Sequence, residues 1–368
     1  HVTHHAHGAK PPHCAELTFS GGQSNDRGES DSGDSSTSNT PFAAQDRSMA
    51  DDASAARSPE PSLPCVPGLE VLAPIGRGGM GIVFEAYDPH LRRRVALKMI
   101  SRERTSPEWT ERIRLEAQAA ARLNHPHVVQ IYGVGECDGQ PYVTLELVGG
   151  GTLADRLQGR PQSPREGAVL VAKLARAVQF AHERHVVHRD LKPRNVLIDE
   201  IGLTAETPLS AVTPKITDFG LAKLLDSELQ QTRTDQIMGT PAYAAPEQLN
   251  AALGEVGPAT DVYALGAVFY EILTGRPPLQ ADDIWRTMQL VLETEPVAPR
   301  QLQPGVPRDL ETICLHCLAK DPARRYVGAG ELADDLDRFL ADQPIRARPI
   351  SAVERFMTWA SATPSVGG

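Results

Sequence analysis

The sequence predicts an α+β fold in which a small sheet-rich part precedes a larger helical part. Between residues 69 and 148, apolar residues alternate or run in strand-length pieces that turn-like residues separate. Beyond Gly151 they recur at helical spacing, most clearly in REGAVLVAKLARAVQFAHERH and DVYALGAVFYEILTG. Residues 1–66 show neither pattern. Because they are rich in Ser, Asp, Gly and Pro and have few large apolar side chains, we expect a disordered tail there.

The sheet-rich part contains the elements of one small sheet in order. VLAPIGRGGMGIVFEAYD and RRVALKMI predict strands on either side of a turn at DPHLR. SPEWTERIRLEAQAAARLNH predicts a helix, since Ser106 suits the N-cap and Pro107 the first helical position. VVQIYGVGE and PYVTLELV then predict two further strands.

Composition excludes several classes of protein. The formal net charge of −10 argues against a nucleic-acid-binding protein, which needs a basic face. The five cysteines are scattered, which indicates reduced thiols rather than a disulfide framework. The chain has no apolar run of about 18 residues and no signal-peptide pattern. We therefore expect a cytoplasmic protein, with membrane association as the alternative.

Cys314 and Cys317 form a C-x-x-C motif within a helical pattern. A zinc site would need a second cysteine pair, and a redox motif would need a thioredoxin-like context. The spacing places both thiols on one helix face, where cysteine behaves as a small apolar residue. We interpret the two cysteines as part of the core.

A glycine-rich segment, GRGGMG, extends from Gly76 to Gly81. Dinucleotide-binding folds place such a motif between a strand and a helix, whereas the residues that follow it here predict a second strand. A strand–loop–strand context suits a flap whose backbone amides approach nucleotide phosphates. The alternative is an ordinary glycine-rich hairpin.

Lys98 lies on the next predicted strand and favours the nucleotide interpretation. Strand alternation places Ala96 and Lys98 on the face opposite to Val95 and Leu97, so the ammonium can point toward the flap. A buried lysine needs a partner. Glu116, in the middle of the predicted helix, is the candidate, and a solvated helix glutamate is the alternative.

The stretch VVHRDLKPRNVLID, residues 186–199, concentrates polar groups between apolar runs. Asp190 offers a carboxylate for a hydroxyl proton, Lys192 a cation for a moving phosphate, and Asn195 an amide oxygen for Mg²⁺. Asp218, after a further predicted strand, offers a second oxygen to the same hard cation. Phosphoryl transfer needs such positioning and charge neutralisation more than covalent help.

Taken in order, these motifs resemble those of the eukaryotic-like protein kinase family, specifically the bacterial serine/threonine kinases. The resemblance covers residues 69–341 and includes GRGGMGIV, VALK, the helix glutamate, HRDLKPRN, DFG and APE. It implies a bilobal fold, a requirement for ATP and Mg²⁺, and the transfer of phosphate to serine or threonine hydroxyls of proteins. In enzymological terms it implies a non-specific serine/threonine protein kinase.

The resemblance assigns a role to each candidate residue. Asp190 is implied as catalytic base, with Lys192 assisting at the γ-phosphate, and Asn195 and Asp218 as metal ligands. Lys98 and Glu116 would form the ion pair of the active state. Glu146 and Leu147 would be the hinge that hydrogen-bonds the adenine, with Leu145 as the gatekeeper beside it. The residues implied in nucleotide binding are Gly76, Arg77, Gly78, Gly79, Met80, Gly81, Val83, Ala96, Lys98, Glu116, Glu146 and Leu147.

Further features fit the same family. Glu247 of the APE motif would pair with Arg325, and Asp261 would brace the backbone of the catalytic loop. GTPAY, residues 239–243, resembles a substrate-facing segment of serine/threonine kinases. There are three departures from the family pattern. Ala244 in YAAPE replaces a bulkier residue, which we expect to have no consequence, and Arg194 replaces a small one, which we expect to bias the charge of the substrate. Residues 200–214 lengthen a usually tight turn, which we expect to be a tolerated loop excursion.

Regulation is predicted from the segment LLDSELQQTRTDQIMGT, which contains Thr232 and Thr234. Arg189, beside the catalytic aspartate, carries a permanent charge that a phosphothreonine would neutralise while ordering the segment. We expect autophosphorylation at one of the two threonines, in trans within a transient kinase dimer. Two ordinary solvated threonines are the alternative.

These predictions divide the chain into a tail (1–66), a kinase domain (67–341) and a C-terminal tail (342–368). The N-lobe would span about 67–148 and the C-lobe about 149–341. The last segment is similar to the juxtamembrane stretch of receptor-like kinases, so a membrane is expected only if a longer chain carries a span. ATP and protein substrates are the expected partners. A pseudokinase scaffold is the main alternative, and a small-molecule kinase is a third interpretation.

Overall fold

Two regions of different secondary structure follow one another along the chain. The structure, a computed structural model, describes residues 63–78, 81–101, 107–199, 204, 207–219 and 241–347. The N-lobe contains β1 (Glu70–Gly78), β2 (Gly81–Asp88), β3 (Arg93–Ile100), α1 (Pro107–Ala120), β4 (Ile131–Cys137) and β5 (Gln140–Glu146). The C-lobe contains α2 (Leu153–Leu157), α3 (Pro164–His182), β6 (Val196–Ile198), β7 (Pro214–Ile216), α4 (Pro246–Leu249), α5 (Pro258–Thr274), α6 (Ile284–Glu293), α7 (Pro299–Leu302), α8 (Arg308–Cys317) and α9 (Ala329–Leu340). The predicted α+β arrangement is confirmed.

The N-lobe sheet is antiparallel, with its strands in the order β1-β2-β3-β5-β4. Val95 and Leu97 of β3 pack into an apolar cluster on one face. By strand alternation, Ala96 and Lys98 lie on the other face. The register places Val83 of β2 directly opposite Lys98, so these two side chains share that face.

Gly81 is required where the chain enters β2. Its φ is 145°, and a Cβ at this position would lie 1.9 Å from the carbonyl oxygen of Met99. Only glycine fits such a close approach between strands. Because Gly78 pairs with Gly81, the glycine-rich segment connects two strands of one sheet, as the sequence predicts.

Helix α5 lies at the centre of the C-lobe core. Nearly all of its residues are buried, including the large side chains of Tyr263, Phe269 and Tyr270. A helix that is apolar on all sides needs neighbours on all sides, and α3, α8 and α9 pack against it. No helix in the described ranges is long and apolar enough to cross a bilayer.

Cys314 and Cys317 lie on α8, fully buried in the C-lobe core. Burial raises the pKa of both thiols, which disfavours the reactive thiolate. The interpretation of these cysteines as core residues is confirmed.

The loop between β6 and β7 is anchored to the C-lobe rather than projecting from it. In its described part Leu209 and Val212 are buried in the core. Glu166 of α3 accepts the backbone N–H of Leu209 at 2.9 Å. Lys173 of α3 donates to two backbone carbonyls of the loop at 3.0 and 2.9 Å. Described residues within 200–214 therefore belong to the packed body of the lobe.

The folded region extends past both predicted boundaries. Val66, which we assigned to the tail, is buried in the apolar cluster of the N-lobe. At the other end, the buried carboxylate of Asp335 accepts the backbone N–H groups of Arg346 at 2.6 Å and Ala347 at 2.7 Å. Packed structure therefore runs at least from Val66 to Ala347.

Candidate active site

A buried carboxylate of α5 holds the loop that carries the polar residues of HRDLKPRN. Asp261 is fully buried and accepts the backbone N–H groups of His188 and Arg189, each at 2.8 Å. His182 Nε2 lies 2.8 Å from the same carboxylate. Burial acts to raise the pKa of Asp261, but the hydrogen bond and charge of His182 lower it overall. Asp261 thus braces the backbone where Arg189 adopts a left-handed φ of 70°, as predicted.

Lys192 and Asn195 of this loop both contact Asp190. Lys192 Nζ lies 2.9 and 2.7 Å from the two carboxylate oxygens of Asp190. Asn195 Nδ2 donates to the Asp190 carbonyl at 2.7 Å and to its Oδ2 at 3.1 Å. These bonds direct the amide oxygen of Asn195 away from Asp190, which suits a residue that is to ligate a cation.

Thr217 joins this loop to the segment that carries Asp218. His188 Nε2 lies 2.9 Å from the Thr217 carbonyl, and the Thr217 N–H donates to the Asn195 carbonyl at 2.9 Å. Phe219 packs edge-on against the His188 ring, with 4.7 Å between the centroids. These contacts fix the HRDLKPRN loop relative to the DFG segment.

Lys98 and Asp218 form an ion pair across the two lobes. Their Nζ–Oδ1 distance is 2.6 Å, and Lys98 is only 6% exposed. Burial acts to raise the pKa of Asp218, but the charge and hydrogen bond of Lys98 lower it overall. The carboxylate is thus kept ionised, the form in which it can ligate a metal.

The structure corrects the predicted partner of Lys98. Among the salt bridges of the described residues, Lys98 pairs with Asp218 and not with Glu116. Glu116 is half-buried on α1, and Ala117 of the same helix lines a small cavity beside the Lys98–Asp218 pair. A buried ammonium needs a close carboxylate, and Asp218 supplies it here.

That cavity has mainly apolar walls drawn from both lobes. Val143 and Leu145 of β5 line it from the N-lobe, and Ile216 and Phe219 from the C-lobe. Apolar walls exclude water and strengthen the electrostatic interactions beside them. Leu145, the residue implied to precede the hinge, therefore borders the charged pair.

The residues implied as hinge follow Leu145 directly. The Glu146 N–H donates to the Gln130 carbonyl at 2.8 Å. Its carboxylate accepts the Gln130 N–H at 3.2 Å and pairs with Lys215 at 2.8 Å. The side chain of Glu146 is therefore used within the protein, which leaves recognition of a base to the backbone from Glu146 through Leu147.

The other implied nucleotide-binding residues of the sheet lie on three neighbouring strands, β1, β2 and β3. Val83 faces Lys98 across the strand pair, and Ala96 pairs with Leu145 of β5. Gly76, Arg77 and Gly78 end β1, and Gly81 begins β2. Gly79 and Met80 lie outside the described residues.

The APE motif is tied to both the C-lobe core and the catalytic loop. Glu247 and Arg325 form a bidentate ion pair at 2.7 and 2.8 Å, with both side chains fully buried. Gln248 Nε2 donates to the Arg189 carbonyl at 2.7 Å. The predicted Glu247–Arg325 pair is formed, and Gln248 connects this region to Arg189, the residue before Asp190.

Tyr243 and Glu271 form a second contact of this region. The Tyr243 hydroxyl donates to Glu271 Oε2 at 2.6 Å. Burial raises the pKa of Glu271, and burial together with the neighbouring Glu271 raises that of Tyr243. GTPAY is thereby fixed to α5 through its last residue, while Gly239 and Thr240 lie outside the described residues.

Comparison with known proteins agrees with this geometry. A sequence profile of the protein kinase domain matches residues 69–335. The chain belongs to the protein kinase family. The predicted resemblance is therefore confirmed.

Named relatives are bacterial serine/threonine kinases. The chain is 37% identical over 279 residues to serine/threonine-protein kinase PknB of Mycobacterium leprae, covering 74% of this chain and 43% of the relative. It is 36% identical over 269 residues to serine/threonine-protein kinase PrkC of Bacillus subtilis, covering 73% and 40%. This kinase chain thus spans less than half the length of these relatives.

Among solved structures, the kinase domain of Mycobacterium tuberculosis PknI is similar, with a TM-score of 0.57 and 26% identity. The match covers 77% of this chain and 99% of that domain. The bilobal fold expected for a kinase is confirmed.

Several residues of the kinase site were not found from the sequence. Lys215, Thr217 and Gln248 act through contacts with residues far along the chain. We assigned a role to none of the three, although Lys215 and Thr217 lie in KITDFG, three residues and one residue before Asp218. Thr232 and Thr234 lie outside the described residues, so their phosphorylation stays a prediction.

Proposed function

We propose that this chain is a serine/threonine protein kinase that transfers the γ-phosphoryl group of ATP, with Mg²⁺, to serine or threonine hydroxyls of proteins. One observation carries the proposal: Asp190, Lys192 and Asn195 form a single hydrogen-bonded group. The shared contacts of Thr217 hold this group in register with Asp218.

Each residue of the group has a chemical role in this reaction. The substrate hydroxyl oxygen attacks the γ-phosphorus, the bond from that phosphorus to the β–γ bridging oxygen breaks, and ADP leaves. Asp190 accepts the proton of the hydroxyl. Lys192, already paired with Asp190, neutralises charge on the moving phosphoryl group.

Asn195 and Asp218 fit a magnesium site by the chemistry of their donors. Mg²⁺ prefers oxygen ligands. The two hydrogen bonds donated by Asn195 Nδ2 leave its amide oxygen for a cation, and Asp218 is kept ionised by Lys98. When bound, the metal would neutralise phosphate oxygens. Lys98 would hold the α- and β-phosphates from the other side.

The names of the relatives support serine and threonine as acceptors. Within this chain, Lys192 and the GTPAY segment are features of that branch of the family. Two of the anchored contacts, Tyr243 with Glu271 and Glu247 with Arg325, would present the segment to a peptide.

Replacement of the proposed base tests the proposal. Asp190→Asn should reduce phosphoryl transfer to a generic protein substrate by about a thousandfold or more, because the proton acceptor and the partner of Lys192 are lost together. Radiolabelled ATP and circular dichroism report transfer and folding in parallel.

Asp309→Asn, an exposed position on α8, is the matched control and should retain wild-type turnover. A folded Asp190→Asn protein that works at the wild-type rate would contradict the assignment. A wild-type protein that binds ATP without turnover would favour the pseudokinase scaffold.

Autophosphorylation at Thr232 or Thr234 is part of the same proposal. A phosphothreonine adds a charge of about −1.5 to −2 and strong acceptors, which Arg189 beside the base could bind. Mass spectrometry after incubation with Mg-ATP, compared with a Thr232→Ala/Thr234→Ala variant, tests it. Mixing an inactive Asp190→Asn chain with wild type would reveal transfer in trans within a transient dimer.

A further inference from the structure

Lys215 lies on β7, the strand that leads to Asp218, and it contacts Glu146 at the end of β5. Its Nζ lies 2.8 Å from Glu146 Oε1 and 3.6 Å from Asp199 Oδ2. The Lys215 side chain is 11% exposed and that of Glu146 is 24% exposed. This pair is therefore largely shielded from solvent and less screened by salt than a surface pair.

Glu146 is fixed by more than Lys215. Its second carboxylate oxygen accepts the Gln130 N–H at 3.2 Å, and its own N–H donates to the Gln130 carbonyl at 2.8 Å. The segment around Gln130 is in turn bonded to β7, since the Val129 N–H donates to the Ile216 carbonyl at 2.9 Å. Glu146, Gln130 and Lys215 thus form a closed set of contacts between the lobes.

Both partners of this ion pair lie close in sequence to residues of the proposed nucleotide site. Lys215 is separated from Asp218 by only Ile216 and Thr217, and Thr217 is bonded to the catalytic loop. Glu146 is followed directly by Leu147. One short strand therefore connects the segment that would face the base of a nucleotide with the residue that would face its phosphates.

Stability alone is a poor explanation for such a pair. Removing two charges from water costs free energy that their attraction only partly repays, and apolar residues of similar volume are often as stable. An ion pair does, however, impose a direction and a distance that apolar contacts do not. A role in positioning accounts for a charged pair at this place.

We propose that the Lys215–Glu146 ion pair is a positioning latch that fixes the hinge backbone relative to Asp218. This inference rests on the proposed function, since it assumes that ATP binds between the two segments. Lys215 contacts no substrate in this scheme. It acts through Glu146, so that the main-chain groups of residues 146 and 147 meet the 6-amino edge of adenine.

Replacement of Lys215 separates positioning from general packing. Lys215→Met should raise the KM for ATP by about tenfold, because the hinge bonds to the base lose their alignment, while kcat at saturating ATP changes by less than about twofold. Lys215→Arg keeps the charge and should restore the KM to within about twofold of wild type.

Comparison of ATP with a nucleotide that lacks the 6-amino group makes the test more specific. Purine riboside triphosphate lacks the 6-amino group, so alignment of the hinge contributes less to its binding affinity. Its KM should change by less than about twofold in Lys215→Met. Glu146→Gln should reproduce the effect on ATP, and the double variant Lys215→Met/Glu146→Gln should be no worse than either single change.

Lys173→Met is the matched control. Lys173 is also a largely buried lysine on the C-lobe, but it donates to backbone carbonyls of the β6–β7 loop. It should leave both KM values unchanged. Equal losses for both triphosphates in Lys215→Met, or a raised KM for ATP in Lys173→Met, would overturn the latch.

Failure of the latch and failure of the proposed function give different results. If wild-type protein does not turn over ATP, the proposed function is wrong. If wild type turns over ATP and Lys215→Met has an unchanged KM, the kinase assignment stands and the latch is wrong.

Discussion

The catalytic loop and the nucleotide end of the site are held in different ways. Backbone N–H groups of the loop donate to Asp261 of α5, and further hydrogen bonds connect the loop to Gln248 of α4 and to Thr217 after β7. The nucleotide end depends on the ion pair of Lys98 with Asp218, two residues 120 positions apart and on opposite lobes. The loop is thus fixed within one lobe, whereas the ion pair also depends on how the lobes approach.

This difference indicates which properties each region controls. Many bonds within one packed lobe keep Asp190 and Asn195 in place at little further cost when substrate binds. An ion pair between lobes can exchange its partner for phosphates or a metal. Damage to the loop should therefore affect folding and turnover together, and damage to the ion pair should affect turnover with little effect on folding.

Between the ion pair and the brace of the loop, loss of Lys98 is expected to have the larger effect on turnover. Lys98→Met should cut phosphoryl transfer by about a thousandfold, because the cation that we propose orients the phosphates is removed. The midpoint of thermal unfolding should stay close to that of wild type. Single-turnover kinetics and calorimetry measure the two, and unchanged turnover would show that other groups hold the nucleotide.

Loss of Asp261 should lower both the stability of the protein and its turnover. Asp261→Ala leaves the N–H groups of His188 and Arg189 and the His182 ring without their acceptor, which should cost about 3 kcal/mol in the free energy of unfolding. Turnover should fall by about a hundredfold in the fraction that remains folded, since Asp190 is displaced. Urea denaturation that matches wild type would contradict the bracing role.

Acid titration should distinguish the buried carboxyls from exposed ones. The folded-state pKa of Asp261 lies below its usual range. The unfolded chain therefore binds more protons at this group, and the resulting stabilisation is complete above the unfolded pKa of about 4 and is lost as pH falls through the folded pKa. Asp261→Asn should flatten the loss of stability measured by urea unfolding between about pH 6 and pH 3. If the stability of Asp261→Asn falls as steeply with decreasing pH as that of wild type, the prediction is wrong.

The smallest effect is expected far from the site. Lys173→Met removes two hydrogen bonds to the β6–β7 loop, which should cost about 1 kcal/mol in the free energy of unfolding. Turnover should not change, because neither the catalytic loop nor the ion pair is touched. A clear loss of turnover would mean that this loop also positions the site.

The sequence was sufficient for most of the fold and of the catalytic loop. Alternation in β3 correctly placed Lys98, and the single motif HRDLKPRN grouped Asp190, Lys192 and Asn195. The partner of Lys98 was wrong because Glu116 and Asp218 are both acids, and only tertiary placement decides between them. The anchoring of residues 207–213 was missed because Leu209 and Val212 are too few to form a periodic pattern.

The contacts of Asp335 determine how far the chain can be shortened. A fragment that ends at residue 341 would keep helix α9 intact but would remove the backbone donors of Arg346 and Ala347 from this buried carboxylate. Of the bonds described for it, only the one from Tyr326 at 3.0 Å would remain. Proteolysis at this point would therefore leave the buried Asp335 carboxylate with too few hydrogen-bond donors. A stable fragment of the kinase domain has to include residue 347.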